Sequence, residues 1–361
     1  MNTPAAARIA RSWTISGIAI LAVGALSVWA APERTGGSPH RVTASTAGIP
    51  SRSFEFHYRV DVPVPPAGSH RLRIWVPLPY ENSRSQSVSD LRINAPVHYE
   101  IGRDRRFNDR YAYFDLNSAQ IQEPFRIELV FHVKRLEDRV PLHPLPDAPA
   151  RTEAVDSFLQ PDRLVPIDGE IGDLSREQTQ GTSQPLEKAR RIYDYVIASM
   201  HYDHAGTGWG RGDAVWACNA KHGNCTDFHS LFIGMARAAG IPARFEIGFP
   251  LPTSATSGTI PGYHCWAEFW ADGIGWIPID ASEAWQDPTK KDYFFGAIDA
   301  NRVMFSLGRD LEVSPKPAAG SLNYLVYPYA ELDGKPSTDL KHEFSFRDDM
   351  VSGQMSAGNA Q

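Results

Sequence analysis

The sequence predicts an α+β fold: a small antiparallel β-sandwich, then a domain in which a helix carrying a cysteine packs on an antiparallel sheet carrying a histidine and an aspartate. Three observations predict it. Between residues 51 and 136 apolar and polar residues alternate at the strand period, and no helical run competes. From Pro185 onward apolar residues fall at three- and four-residue steps, the period of a helix. Around residues 262–280 two strand patterns flank an Asp-Gly turn and set His264 and Asp280 on one face.

The 361 residues, 42% hydrophobic, are enough for two folded cores. A formal charge of -6 and a pI near 6.1 exclude a general affinity for nucleic acid or anionic membrane, which needs clustered Lys and Arg.

Arg8 and Arg11, an apolar stretch from Trp13 to Trp29, and then Ala30-Ala31-Pro32 follow the order of an export signal. Val28 and Ala30 fit the −3 and −1 positions, so residues 1–31 are expected to be a signal peptide cut after Ala30, giving a periplasmic or secreted protein. Retention as a membrane anchor is the alternative, because the apolar run sits at the lower length limit for a spanning helix. Residues 32–50, rich in Gly, Ser, Thr, Pro and Ala, are expected to be a flexible linker.

Residues 51–136 form the predicted sandwich: Phe54, Phe56, Tyr58 and Val60 alternate with polar residues, as do Leu72, Ile74 and Val76, and Tyr111–Leu116 and Phe125–Val133 follow. Residues 137–183, proline-rich and weakly periodic, are expected to be a surface connector, and 184–310 the second domain. There Leu186, Ala189, Ile192, Tyr193, Val196 and Met200 mark an amphipathic helix opened by Pro185. Residues 311–361 hold β-like segments near Tyr324–Val326 and Phe344–Phe346 and a polar tail expected to be disordered.

Phe228, Leu231, Phe232, Met235 and Ala239 fall on one helical face that Cys225 extends inward. Asn224 is a good N-cap, Asp227 stands at the N3 position, and Gly240 with Pro242 supplies the stop. Cys225 is thus placed in the first turn, where N–H groups and the helix dipole favour a thiolate and where the Cys225 backbone can receive an oxyanion. Gly223 leaves room for a substrate's backbone. His264–Trp270 and Trp276–Asp280 form a hairpin, and a three-residue loop at Ala271–Gly273 sets His264 directly across from Asp280. Cys225, His264 and Asp280 are then nucleophile, base and orienter of a thiol triad. Taken singly, a buried cysteine, a packed histidine and a turn carboxylate are each commonplace. The ordered set is not.

Four motifs occur in order: Gly223-x-Cys-x-Asp-Phe228, Ala236-Arg-x-x-Gly-Ile-Pro-Ala-Arg244, His264-x-Trp-x-Glu268 and Gly273-x-Gly-Trp-x-x-x-Asp280. With them the chain resembles the transglutaminase-like superfamily, particularly bacterial exported members, over roughly residues 185–285. The resemblance implies a papain-like transglutaminase core, acyl transfer on amide or peptide bonds through a thioester, and the Cys225-His264-Asp280 triad. Hydrolysis, as in a protease or amidase, is preferred to protein crosslinking. The upstream Trp75-Val-Pro-Leu-Pro79 strand is similar to the β-domain that often precedes this core. Cys265, where a small residue such as Ala is usual, and Ala281, where Pro is common, depart from the pattern. Asn219 is a candidate oxyanion donor by likeness to papain-type proteases, with His222 and Trp266 as candidate cleft residues.

Two rivals remain. Cys218, His222, Cys225 and His229 offer four ligands at zinc-like spacing. A binding module of the same fold without catalysis is the other. No calcium-loop pattern is present, so no cofactor or metal is expected. The expected partner is a protein or peptide substrate. Of the three cysteines, an odd number leaves at least one thiol free or intermolecular.

Overall fold

The computed structural model describes residues 48–81 and 83–349. The expected signal peptide, most of the linker and the end of the polar tail lie outside them. Among the described residues, no helix is long and apolar enough to cross a membrane.

Alternation makes the first strand, Ser51–Val62: Phe54, Phe56, Tyr58, Val60 and Val62 are fully buried, and the residues between them face outward. It is the centre of a five-stranded sheet running Ser257–Ile260, Lys341–Asp348, Ser51–Val62, Phe125–Leu136, Gln86–Asn94. A second five-stranded sheet runs Lys335–Ser337, Tyr329–Leu332, Arg71–Pro77, Arg110–Asn117, Glu100–Arg103. Every strand pairing in both is antiparallel. The expected self-contained sandwich at 51–136 is therefore corrected. Strands from beyond residue 256 complete both sheets, because the C-terminal Phe344 and Phe346 supply apolar area that the N-terminal strands need.

A third, four-stranded sheet runs Gly275–Ile279, His264–Ala271, Ala243–Pro250, Arg302–Leu307. Its apolar residues share one core with the first sheet: the Phe56 ring lies 5.6 Å from Phe249 and 5.7 Å from Phe305, and Phe344 lies 4.2 Å from Phe249. The described residues accordingly form one compact unit rather than two.

On the third sheet lies the helix Cys225–Ala238, buried nearly all round and not only on the cysteine side. The amphipathic helix Pro185–Ser199 packs on it, as read from its spacing. The expected surface connector is a further correction. It folds into Gly169–Gln178, whose Ile171 is fully buried and whose Ser175 hydroxyl donates to the Met235 carbonyl at 2.6 Å. Arg237 ties the same segment down by an ion pair of 2.6 Å to Asp162 in nearly complete burial. One fully buried apolar side chain is too little to announce a helix by period.

Phe344→Ala, which empties space shared by Tyr58 and Phe249, is expected to cost about 3–5 kcal/mol. Thermal and denaturant unfolding measure it. A loss below about 1 kcal/mol would show that the C-terminal strand is an accessory.

Candidate functional site

The cysteine helix begins as its sequence dictates. The Asn224 side chain accepts from the Thr226 N–H at 3.0 Å, and the Asp227 carboxylate returns to the Asn224 N–H at 3.0 Å, a complete capping box. Asp227 also accepts from Gly210 N–H at 2.7 Å and Gly212 N–H at 3.0 Å, so the glycine-rich loop is fastened to the helix start. Gly223 serves this arrangement. Its φ is +149°, and a Cβ there would stand 2.4 Å from Asp227 Oδ2. The room expected for a substrate's backbone is occupied by the capping carboxylate.

The hairpin differs from the expected register by one step. Ala267 pairs with Ile279, Trp270 with Trp276 and Ala271 with Gly275, leaving Asp272, Gly273 and Ile274 as the loop. Asp280 thus lies across from Trp266, diagonal to His264 rather than opposite it. The loop still has three residues, so the face is preserved and the pair still meets. His264 Nε2 donates to Asp280 Oδ2 at 2.7 Å.

Asp280 is the hub of the site. It is fully buried, and Oδ2 also accepts from Arg302 Nη1 at 3.1 Å. Its Oδ1 accepts from the Ser282 hydroxyl and the Glu283 N–H, both at 3.0 Å, capping the helix Ala281–Gln286. Burial opposes this charge, but the His264 charge and hydrogen bond, His229 and Arg302 hold the carboxyl far below the usual carboxylate range.

With Nε2 committed to Asp280, the His264 ring and the Cys225 thiol act on each other's ionisation. Burial pushes the Cys225 thiol up. Hydrogen bonds from Cys265 and His264 and the charge of His264 outweigh that and bring it well below an ordinary thiol. Burial pushes His264 down, but the Asp280 charge and hydrogen bond and the Cys225 contact raise it to about 10. Both shifts favour a thiolate–imidazolium pair.

Residues that the sequence did not single out complete the site. The Tyr202 hydroxyl stands against the Cys225 backbone N–H. Tyr263 lies beside His264, and its hydroxyl accepts from Asn224 Nδ2 at 2.8 Å and meets Thr226 Oγ1 at 2.9 Å, joining the histidine strand to the cap of the cysteine helix. Arg302, stacked 4.9 Å over Trp266, had no motif to announce it.

Other expectations are corrected. Asn219 is exposed and donates to Glu170 and to the Val215 carbonyl, so its short helix turns it away from the thiol. Trp266 is fully buried, with its indole N–H on Glu246, and cannot wall a cleft. His222 sits in a short ladder beside His201, its ring edge-on to Trp216. His229 is a packed histidine: Nε2 accepts from the Ala281 N–H at 3.1 Å, and Nδ1 lies 3.5 Å from Cys265 Sγ. The zinc quartet does not converge. Among the described residues no three His, Cys, Asp or Glu side chains are grouped to hold a metal.

Comparison with known proteins agrees with this fold. Residues 172–281, the segment that carries the cysteine helix and the hairpin, match the family model described as the transglutaminase-like superfamily. Over 339 residues the chain is 26% identical to an uncharacterized protein of Haemophilus influenzae, covering 83% of this chain and 90% of that one. Among solved structures it is similar to the "Putative Cysteine Protease from Cytophaga hutchinsonii", with a TM-score of 0.58 and 19% identity over 84% of this chain and 93% of that one. At that identity the likeness is one of fold. The periplasmic domain of TgpA from Pseudomonas aeruginosa superposes more loosely, with a TM-score of 0.37 and 15% identity over 69% of this chain and 92% of that domain.

Iodoacetamide should modify Cys225 at a rate that holds steady well below pH 8.5, the ordinary thiol range, and the plateau should vanish in His264→Ala. Cys218, whose thiol burial pushes up, should react slowly there. A Cys225 rate falling tenfold per pH unit below pH 8 would contradict the ion pair. Tyr263→Phe should lower kcat by roughly 10- to 100-fold through misplacement of thiol and imidazole, with KM little changed. Unchanged kcat would mean that the tyrosine only packs.

Proposed function

We propose that the protein is a thiol-dependent acyl-transfer enzyme acting on amide or peptide bonds, with Cys225 as nucleophile, His264 as acid and base, and Asp280 as the group that orients His264. The observation that carries this reading is the Asp280–His264 hydrogen bond together with a Cys225 thiol that His264 draws toward the thiolate at a helix N-terminus.

In this reading the Cys225 thiolate attacks the substrate carbonyl carbon. The developing oxyanion is received by the Tyr202 hydroxyl, which stands at the Cys225 N–H and takes the place assigned to Asn219 from sequence. The His264 imidazolium gives its proton to the leaving amine as the C–N bond breaks, leaving a thioester and a neutral imidazole. That imidazole then takes a proton from the incoming acceptor, the acyl group passes to it, and the thiolate is restored. Asp280 keeps Nε2–H on its own side, so Nδ1 always faces the chemistry.

Water is the preferred acceptor, making the enzyme a protease or amidase on a protein or peptide substrate. Export to the periplasm or beyond is part of the same proposal. It rests on the charged, apolar and small-residue order of residues 8–32.

The test is mass spectrometry of the full chain incubated with glutamine-containing and other peptides, with and without a primary amine. Hydrolysis should appear as cleaved or deamidated product whose yield the amine hardly alters, and Cys225→Ala should abolish it. Amine-linked product in excess would overturn the preference for water. No product of either kind, with Cys225 still readily alkylated, would favour the binding module.

A further inference from the structure

Cys265 takes no part in the acyl transfer outlined above, yet its side chain lies in the same buried space as the nucleophile. It is fully buried and Cys225 is 1% exposed. Each thiol shifts the other's ionisation, Cys225 drawn down and Cys265 pushed up. Cys265 Sγ lies 3.8 Å from the hydroxyl of Thr226, the residue that follows Cys225, and 3.5 Å from His229 Nδ1, one turn further along the helix. All three cysteines are free, and Cys218 stands apart on the helix Ala214–Ala220.

We propose that Cys225 and Cys265 form a reversible disulfide when a hydroperoxide enters the site, Cys265 acting as the resolving thiol. The proposal shares with the functional reading the premise that Cys225 is the more nucleophilic sulfur. The Cys225 thiolate attacks the distal peroxide oxygen, the O–O bond breaks, and the alkoxide or hydroxide takes the His264 proton, leaving Cys225 as a sulfenic acid. Cys265 sulfur then attacks the Cys225 sulfur. The S–O bond breaks, and the departing hydroxide leaves as water with the Cys265 proton. Overall two thiols and one hydroperoxide give one disulfide, one alcohol or water, and one further water. Two thiols are oxidised and the peroxide is reduced.

The surroundings divide the two roles. Cys225 meets His264, whereas burial and the neighbouring Cys225 push the Cys265 thiol up, so one sulfur attacks while the other waits protonated. The Ala281 N–H occupies His229 Nε2, so the neutral ring carries its proton on Nδ1, 3.5 Å from the Cys265 sulfur and facing the Cys225 backbone as well. That donor fixes the resolving sulfur and can stabilise the negative charge it gathers during attack. Such an arrangement would spare the nucleophile from irreversible sulfinic acid.

The test treats the reduced full chain with one equivalent of hydrogen peroxide, blocks remaining thiols, and maps linked peptides without reduction. The expected result is a Cys225–Cys265 crosslink with Cys218 still alkylated, and recovery of a reactive Cys225 on adding dithiothreitol. In Cys265→Ala, peroxide should carry Cys225 to sulfinic or sulfonic acid, which dithiothreitol does not reverse. Sulfinic acid on Cys225 of the unaltered chain, with Cys265 still free to alkylate, would overturn the proposal. If Cys265→Ala unfolds, Cys265→Ser replaces it, and the crosslink map of the unaltered chain is decisive by itself. Because thiol chemistry is read directly, a crosslink in a protein that turns over no peptide would sink the acyl-transfer function and leave this inference standing.

Discussion

Everything about the site depends on keeping one carboxylate ionised in the interior. Asp280 has no exposed surface, and a bare buried charge would be prohibitively costly. Four donors answer it: the His264 ring, the Arg302 guanidinium, the Ser282 hydroxyl and the Glu283 N–H. They come from four places in the fold: the first residue of one strand, the first of another, and two positions of a short helix. Satisfying Asp280 therefore fixes the hairpin, the edge of the four-stranded sheet and the entry to the helix Ala281–Gln286 together. The carboxylate that orients the histidine is also a structural joint.

The capping box of the cysteine helix is the second joint, and Tyr263 connects the two. Through Asn224 and Thr226 its hydroxyl holds the helix start, while its main chain continues directly into His264. Tyr263 N–H in turn donates to the Tyr327 hydroxyl at 3.1 Å, and Tyr324 donates to the Gly210 carbonyl at 2.8 Å. The C-terminal segment thus buttresses the thiol as well as completing the sheets. That is why truncating it should disturb more than a peripheral strand.

Much of this was legible in the sequence, for reasons that can be named. Asn224, Asp227 and Gly240 speak through local rules, so the cysteine helix and its cap are where the spacing puts them. The parity of the hairpin survived a one-step error in loop position because strands repeat every two residues. What stayed hidden depends on distant contacts. Nothing near Arg302, Tyr202 or Tyr263 reveals that they turn toward Asp280, the Cys225 backbone or the Asn224 cap. Asn219 was misplaced because an oxyanion role was carried over by likeness alone, and its own helix points it outward. The sandwich boundary failed for a related reason: strand alternation shows which face is buried but not which distant strand covers it.

The most direct measurement is kcat for His264→Ala, Asp280→Asn and the double variant, with thermal unfolding to confirm that each is folded. If Asp280 acts by orienting His264, Asp280→Asn should lose about 10²- to 10⁴-fold, and adding it to His264→Ala should cost nothing more. Full activity in Asp280→Asn, or losses that multiply in the double variant, would contradict the account and require another group to hold the imidazole.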